Sequence, residues 1–317
     1  MGLITIGSDT VRCSVVPELG AGIADFSVLG PSKFFYPLMR RAMPGETNAS
    51  SLGSFFMAPW VNRIGGAAFE FEGERVALRP NSANPGAPAQ HGDVRARAWK
   101  VDKQSPDAVE LSFDSGAHEK VNWAWRFGCR ARYAVTGAGL RVEFDVENRD
   151  TRAFPAGCGH HPYFSRRMWD DRDVVEVGAA VTGRYPLKDG VPTGGAERER
   201  LTERLGTLQP VADEHIDAVF GGFDAKKGAV IRYPASGVTL TITGCAEMKH
   251  LVLYCPHADG GASGKGGSPL SFIAVEPQTQ VNGALNWPQW GDAVTGTVVL
   301  RPGEVLRTWV EFGVKVG

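Results

Sequence analysis

The run Leu140-Arg-Val-Glu-Phe-Asp-Val-Glu147 alternates strictly between apolar and charged residues. In an extended chain successive side chains leave opposite faces, so Leu140, Val142, Phe144 and Val146 point one way and their charged neighbours the other. This period of two marks a half-buried antiparallel strand and is incompatible with an amphipathic helix, whose apolar positions recur every three to four residues. Val238-Thr-Leu-Thr-Ile-Thr243 repeats the pattern with β-branched residues on both faces. Val109–Phe113, Leu251–Tyr254 and Leu306–Phe312 add further strands, Leu3–Ile6 reads as a first one, and Phe69–Leu78 reads as a hairpin turning near Gly73. A stripe of helical period is almost absent. Glu197–Leu205 is charged and reads either as a short helix or as a solvated loop.

Forty glycines and twenty prolines punctuate the chain without a linker-like break. The expectation is an all-β fold: one large antiparallel β-sandwich over residues 1–317, its sheets packed face to face. Residues 80–97 and 258–268 read as loops. Gly260 to Lys265 lacks the spacing and the following helix of a phosphate-binding loop.

Composition narrows the function classes. A net charge of −1 over 317 residues supplies no global field for nucleic acid or an anionic membrane surface. No apolar run is long enough for a transmembrane helix, and the N-terminus lacks the pattern of a secretory signal. The five cysteines have no Cys-x-x-Cys spacing and read as reduced, buried thiols of a cytoplasmic protein.

The chemistry-bearing residues are few. His160 and His161 precede Pro162-Tyr163-Phe164, and on a strand the two imidazoles face opposite sides, one of them buried and the other exposed in a purely structural reading. Aromatics beside a polar donor suit a wall for stacking a sugar. Glu276 is a lone carboxylate at the end of the apolar run Phe272-Ile-Ala-Val, either paired structurally or kept for proton work with a raised pKa. Arg63 follows an apolar approach and suits a hydroxyl, an anion or the Glu276 carboxylate. His91 sits in the turn Gln90-His91-Gly92-Asp93, and Asp217 is an acidic residue of a presumed loop. Trp60, Trp99, Trp123, Trp125, Trp287, Trp290 and Trp309 read mostly as core or sandwich-edge residues, with one or two of them candidates for lining a sugar site. No metal-ligand spacing, nucleotide motif or activated nucleophile is apparent, so neither a metal nor another cofactor is expected.

Asn62-Arg63-Ile64, Gly73, His91-Gly92, His161-Pro-Tyr-Phe164, Asp217-x-x-Phe220 and Glu276-Pro-Gln-Thr279 together resemble the aldose 1-epimerase (galactose mutarotase) family in order and spacing. Asn148 and Val191-Pro-Thr-Gly194 are similar as well. The resemblance implies a galactose mutarotase-like supersandwich. It also implies His161 as general acid, Glu276 as general base, and Arg63, His91 and Asp217 as residues that bind and orient sugar hydroxyls. The implied reaction interconverts the α and β anomers of a free aldose, without cofactor, through the ring-opened aldehyde. A donor and an acceptor on opposite sides of one pyranose are expected to carry it.

Two departures bear on the substrate. Asp93 stands where the family has a second glycine and adds a carboxylate near the pocket. Arg166 adds a cation that either reads a charged sugar or faces solvent. A hexose-6-phosphate mutarotase, with Arg40, Arg41, Arg166 or Arg167 on the phosphate, is the alternative activity. A non-catalytic sugar-binding module is the alternative from another class. The expected partner is a monosaccharide, with no nucleic acid and no membrane, and the protein is expected to be a monomer or homodimer.

Overall fold

The computed structural model describes residues 2–211, 214–258, 268–287 and 291–317. The alternating run becomes the strand Gly139–Asn148, which sits inside a nine-stranded antiparallel sheet. Its partners are Phe127–Thr136 on one side and Val305–Val316 on the other. Leu140, Val142, Phe144 and Val146 are buried, opposite Val135, Tyr133, Ala131 and Cys129. Each such side chain contributes about 1.5–3 kcal/mol by leaving water. The charged face carries ladders such as Arg132–Glu143 and Arg141–Glu311, exposed ion pairs that contribute about 0–1 kcal/mol each. Burial of one face therefore fixes the register, because a slip of one residue would put four charges into the core.

A second, seven-stranded sheet carries Ile216–Gly221, His250–Cys255, Phe272–Gln278, Gly159–His160 and Phe56–Met57, with Tyr163–Ser165 also paired to Phe272–Gln278. The two sheets meet face to face. Phe56 of the second stacks on Phe144 of the first at 4.1 Å and 9°. Phe164 meets Phe312, which also touches Phe26 from a four-stranded N-terminal sheet. A contiguous buried apolar cluster runs from Ile6 to Phe312 and draws on all three sheets. The all-β sandwich expected from the alternation is the architecture present.

Local expectations hold with some differences. The hairpin Ala68–Phe71 and Glu74–Ala77 turns on Glu72 and Gly73, both left-handed, as a two-residue turn matched to strand twist requires. The first strand is Ile4–Gly7. Arg200–Leu205 is a helix, anchored by buried Thr202 and Leu205. The 80–97 loop contains a short strand, Ala89–Gln90, and a 3-10 turn, Val94–Ala96. Nearly all of 258–268, with the Gly260–Lys265 segment, lies outside the described residues, as does Trp290. All five cysteines are free and buried. No helix among the described residues is long and apolar enough to cross a membrane.

Candidate active site

Two turns and three strands bring the candidate residues together. Arg63 leads the strand Arg63–Ile64, which pairs with Ala89–Gln90. Asn62, just before it, adopts a left-handed backbone (φ 45°), which asparagine tolerates better than most residues. Its side-chain oxygen accepts from Arg63 Nη1 at 3.0 Å, and its carbonyl accepts from the His91 amide at 2.7 Å. His91 and Gly92 are both left-handed, at φ 61° and 68°. A Cβ at position 92 would collide with the Ala58 backbone, so only glycine lets this turn close on the sheet. The turn points the His91 ring edge-on to Phe55 and to His161, at 5.5 and 5.2 Å.

His160 and His161 do face opposite sides, but both are buried. The His160 ring enters the core against Phe56 and Phe144. His161 enters the cleft, its amide donating to the Phe55 carbonyl at 3.0 Å and its ring held between Phe55 (4.6 Å) and Tyr163 (4.5 Å). The expectation of one exposed ring therefore fails, because the packed sheets cover His160 and an aromatic corner covers His161.

Glu276 stands in the middle of the second sheet, opposite Val252 on the neighbouring strand, and is 2% exposed. His161 Nε2 lies 3.2 Å from Glu276 Oε1. Both side chains line one cleft and stand side by side in it rather than facing each other across it.

Asp217 also departs from its sequence reading. It lies within the strand Ile216–Gly221, opposite Tyr254, rather than in a loop. Pleating puts Asp217, Tyr254, Val252 and Glu276 on one face. The resulting cleft, about 220 Å³, is lined by Asn62, Arg63, His91, His161, Tyr163, Asp217, Val252, Tyr254 and Glu276. All five candidate residues meet there. The volume lies below the roughly 300–1,000 Å³ of sites for drug-sized ligands and suits a small polar molecule. Tyr254 and Asn62 received no role from sequence reasoning, although the register of Leu251–Tyr254 beside Glu276 carried the signal for Tyr254. Among the described residues no tryptophan lines the cleft; Tyr163 and Tyr254 supply its aromatic surface.

Electrostatics inside the cleft follow from the burial of its side chains. Burial pushes the Glu276 carboxyl well above its usual range, with the Asp217 charge adding and Arg63 opposing. Burial drives His161 down to about 3, helped by the positive charges of Arg95, Arg40 and Arg63. His91 is lowered well below its ordinary value by burial, His161 and two arginines. Both shifts favour the neutral form of each group.

The residues that departed from the family pattern lie elsewhere. Asp93 pairs with Arg97 at 2.8 Å and with Arg79 at 4.0 Å, away from the cleft lining. Arg166 neither faces solvent nor enters the cleft. It is buried, donating to the carbonyls of Phe272, Val211 and Pro256 at 3.2–3.3 Å. Among the described residues no cluster of three or more His, Cys, Asp or Glu side chains is placed to hold a metal ion.

Comparison with known proteins bears on family and fold. The sequence profile of the Aldose 1-epimerase family matches residues 2–313. The uncharacterized Escherichia coli K12 protein YphB is 25% identical over 274 residues, covering 84% of this chain and 85% of its own. A second uncharacterized protein of that organism, YihR, is 26% identical over 244 residues, covering 76% and 75%. In three dimensions the chain is similar to a galactose mutarotase-like protein from Clostridium acetobutylicum, with a TM-score of 0.83 at 18% identity and coverage of 99% and 95%. It is also similar to the GalM/aldose epimerase homologue from C. elegans, with a TM-score of 0.81 at 18% identity and coverage of 100% and 99%. At such identities the structural likeness speaks for the fold, and the profile match over nearly the whole length speaks for descent: the chain belongs to the aldose 1-epimerase family.

Proposed function

We propose that residues 1–317 form a single catalytic β-sandwich that interconverts the α and β anomers of a free aldose. The observation that carries this reading is the His161–Glu276 contact at 3.2 Å inside a cleft also lined by Arg63, His91 and Asp217. In the working state His161 carries a proton and Glu276 is ionised, a pairing that the Arg63 charge and an anomeric hydroxyl donating to Glu276 favour. Glu276 takes the proton from the C1 hydroxyl while His161 gives its proton to the ring oxygen. The C1–ring oxygen bond breaks and the C1 carbonyl forms. The pair is then left as neutral imidazole and protonated carboxyl, the distribution that burial already favours, so the ring-opened state is stabilised. Rotation about C1–C2 presents the other carbonyl face. Reversal of both transfers closes the ring as the opposite anomer. Arg63, His91 and Asp217 orient the hydroxyls, donating or accepting according to their charge.

A positioned acid or base contributes about 10²–10⁴-fold. Glu276→Gln, which keeps the shape and removes the base, lowers kcat by about two to four decades. Anomer-resolved proton NMR of freshly dissolved galactose and glucose measures it. Near-full turnover by this variant eliminates Glu276 as the base. Sugar binding by the wild-type protein with no acceleration over buffer would instead identify a sugar-binding module. Glucose 6-phosphate, run alongside, separates the phosphosugar alternative.

A further inference from the structure

The four arginines named as phosphate candidates stay out of the cleft. Arg40, Arg41, Arg166 and Arg167 line a separate cavity behind the edge-on pair Tyr163 and Phe272. Among the described residues, Arg63 is the only lysine or arginine in the cleft lining. Whatever holds its guanidinium in place decides how sugar hydroxyls are met. We propose that Asn282, buried outside the cleft, is the positioning residue for Arg63. This rests on the epimerase reading for the task of Arg63, but not for the placement of its side chain.

Arg63 needs an outside support. Arginine carries a long, rotamer-rich side chain that one contact does not fix. Among the described residues its guanidinium makes a single hydrogen bond, from Nη1 to Asn62 Oδ1 at 3.0 Å. Its flat face is held by packing. A Cβ built on Gly190 would stand 2.5, 2.6 and 2.7 Å from Arg63 Nη1, Cζ and Nε. Three such even distances put the guanidinium plane broadside against the bare Gly190 backbone. Glycine is required there twice, for that close approach and for its left-handed φ of 75°.

The Gly190 turn in its own right is weakly held. Asp189 and Gly190, both left-handed, form the tip of a hairpin that joins only Leu187–Lys188 and Val191–Pro192. A lone two-stranded hairpin is marginal in water. Its tip is fastened by Asn282, whose Nδ2 donates to the Gly190 carbonyl at 3.2 Å. Asn282 is 1% exposed, and its Oδ1 accepts from Gln278 Nε2 at 3.0 Å. Gln278 is fully buried, two residues beyond Glu276 and on the same face of their strand. Gly283, next to Asn282, donates its amide to the Arg63 carbonyl at 2.7 Å. One short segment thus fastens the Glu276 strand, the backbone of Arg63 and the turn behind its guanidinium. Buried amides keep such bonds because leaving one unmade is costly.

Asn282→Leu keeps the volume and removes both side-chain bonds. The Arg63 Nε–Hε signal in a nitrogen–proton NMR spectrum, assigned by its loss in Arg63→Lys, reports the guanidinium directly. Anomer-exchange kinetics with galactose report its use. The expected result is a displaced or broadened Arg63 signal and a KM about tenfold higher, with a smaller change in kcat. In an Arg63→Lys background the same substitution should add little to KM, because both act through one contact. An unchanged Arg63 signal, or a KM effect that persists in full without Arg63, overturns the proposal. If Asn282→Leu fails to fold, Gln278→Met, which removes only the donor to Asn282 Oδ1, takes its place under the same criteria. A wild-type protein that does not accelerate anomer exchange sinks the epimerase reading alone; the Arg63 signal then decides the role of Asn282.

Discussion

His160 and His161 are neighbours in sequence with different tasks, and replacing the first isolates what burial does to an imidazole. His160 packs against Phe56 at 5.0 Å and Phe144 at 6.2 Å, and burial lowers it from 6.5 to about 3. The folded pKa is depressed, so between these values the unfolded chain binds the proton and the folded chain does not. Stability is thus fully present above about pH 6.5 and is lost progressively as pH falls toward 3. At pH 5 the ratio of the two binding polynomials is about thirty, which costs about 2 kcal/mol relative to pH 7. His160→Leu removes this titration while keeping an apolar filling. Urea unfolding at pH 7 and pH 5 measures the loss in each protein. The variant should lose about 2 kcal/mol less than the wild type on acidification. Glu276, which is raised and acts in the opposite sense, and the other buried histidines are common to both proteins and cancel in the comparison. Because His160 faces the core, the variant should also keep its turnover. An identical acid loss in the two proteins would refute the claim that His160 is buried and neutral.

Other outcomes follow from the cleft geometry. Gly190 is left-handed at φ 75°, and a Cβ there would stand 2.5 Å from Arg63 Nη1, so Gly190→Ala displaces the guanidinium. KM for the aldose should rise about tenfold with a smaller change in kcat, and a rise confined to kcat would contradict a binding role for Arg63. The Asp217 charge raises Glu276, so Asp217→Asn should move the Glu276 titration to lower pH and shift the kcat/KM profile in the acid direction. A profile that stays in place would remove Asp217 from the electrostatics of the pair. Asp93→Asn should lower thermal stability by loosening Arg97 and leave sugar preference unchanged; an altered preference, measured over a panel of aldoses, would return Asp93 to the cleft.

Much of the architecture was legible because strands carry their burial in a local code. Leu140–Glu147 announces both its conformation and its buried face, and the Glu72-Gly73 turn announces its hairpin. The site was legible in part. Its residues were named through an ordered set of short motifs, but their contacts run across strands far apart in sequence. Tyr254 was missed because its relevance depends on standing opposite Asp217 and next to the strand of Glu276. Trp60, Trp99, Trp123 and Trp125 are core residues as read, and among the described residues no tryptophan reaches the cleft, because size and polarity do not say which face of a sheet a residue takes. Arg166 read as a cation either for a charged sugar or for solvent, yet it is buried and donates to three backbone carbonyls.

By itself the sequence determined the class of fold and the faces of its strands, since these depend on periodicity and composition within short windows. Tertiary structure alone decided that His161 and Glu276 touch, that burial raises the Glu276 carboxyl and lowers the His161 imidazole, and that four arginines line one cavity behind the Tyr163–Phe272 wall. Distance and dielectric are properties of packed surfaces, and those surfaces are made by segments that meet only after the chain has folded.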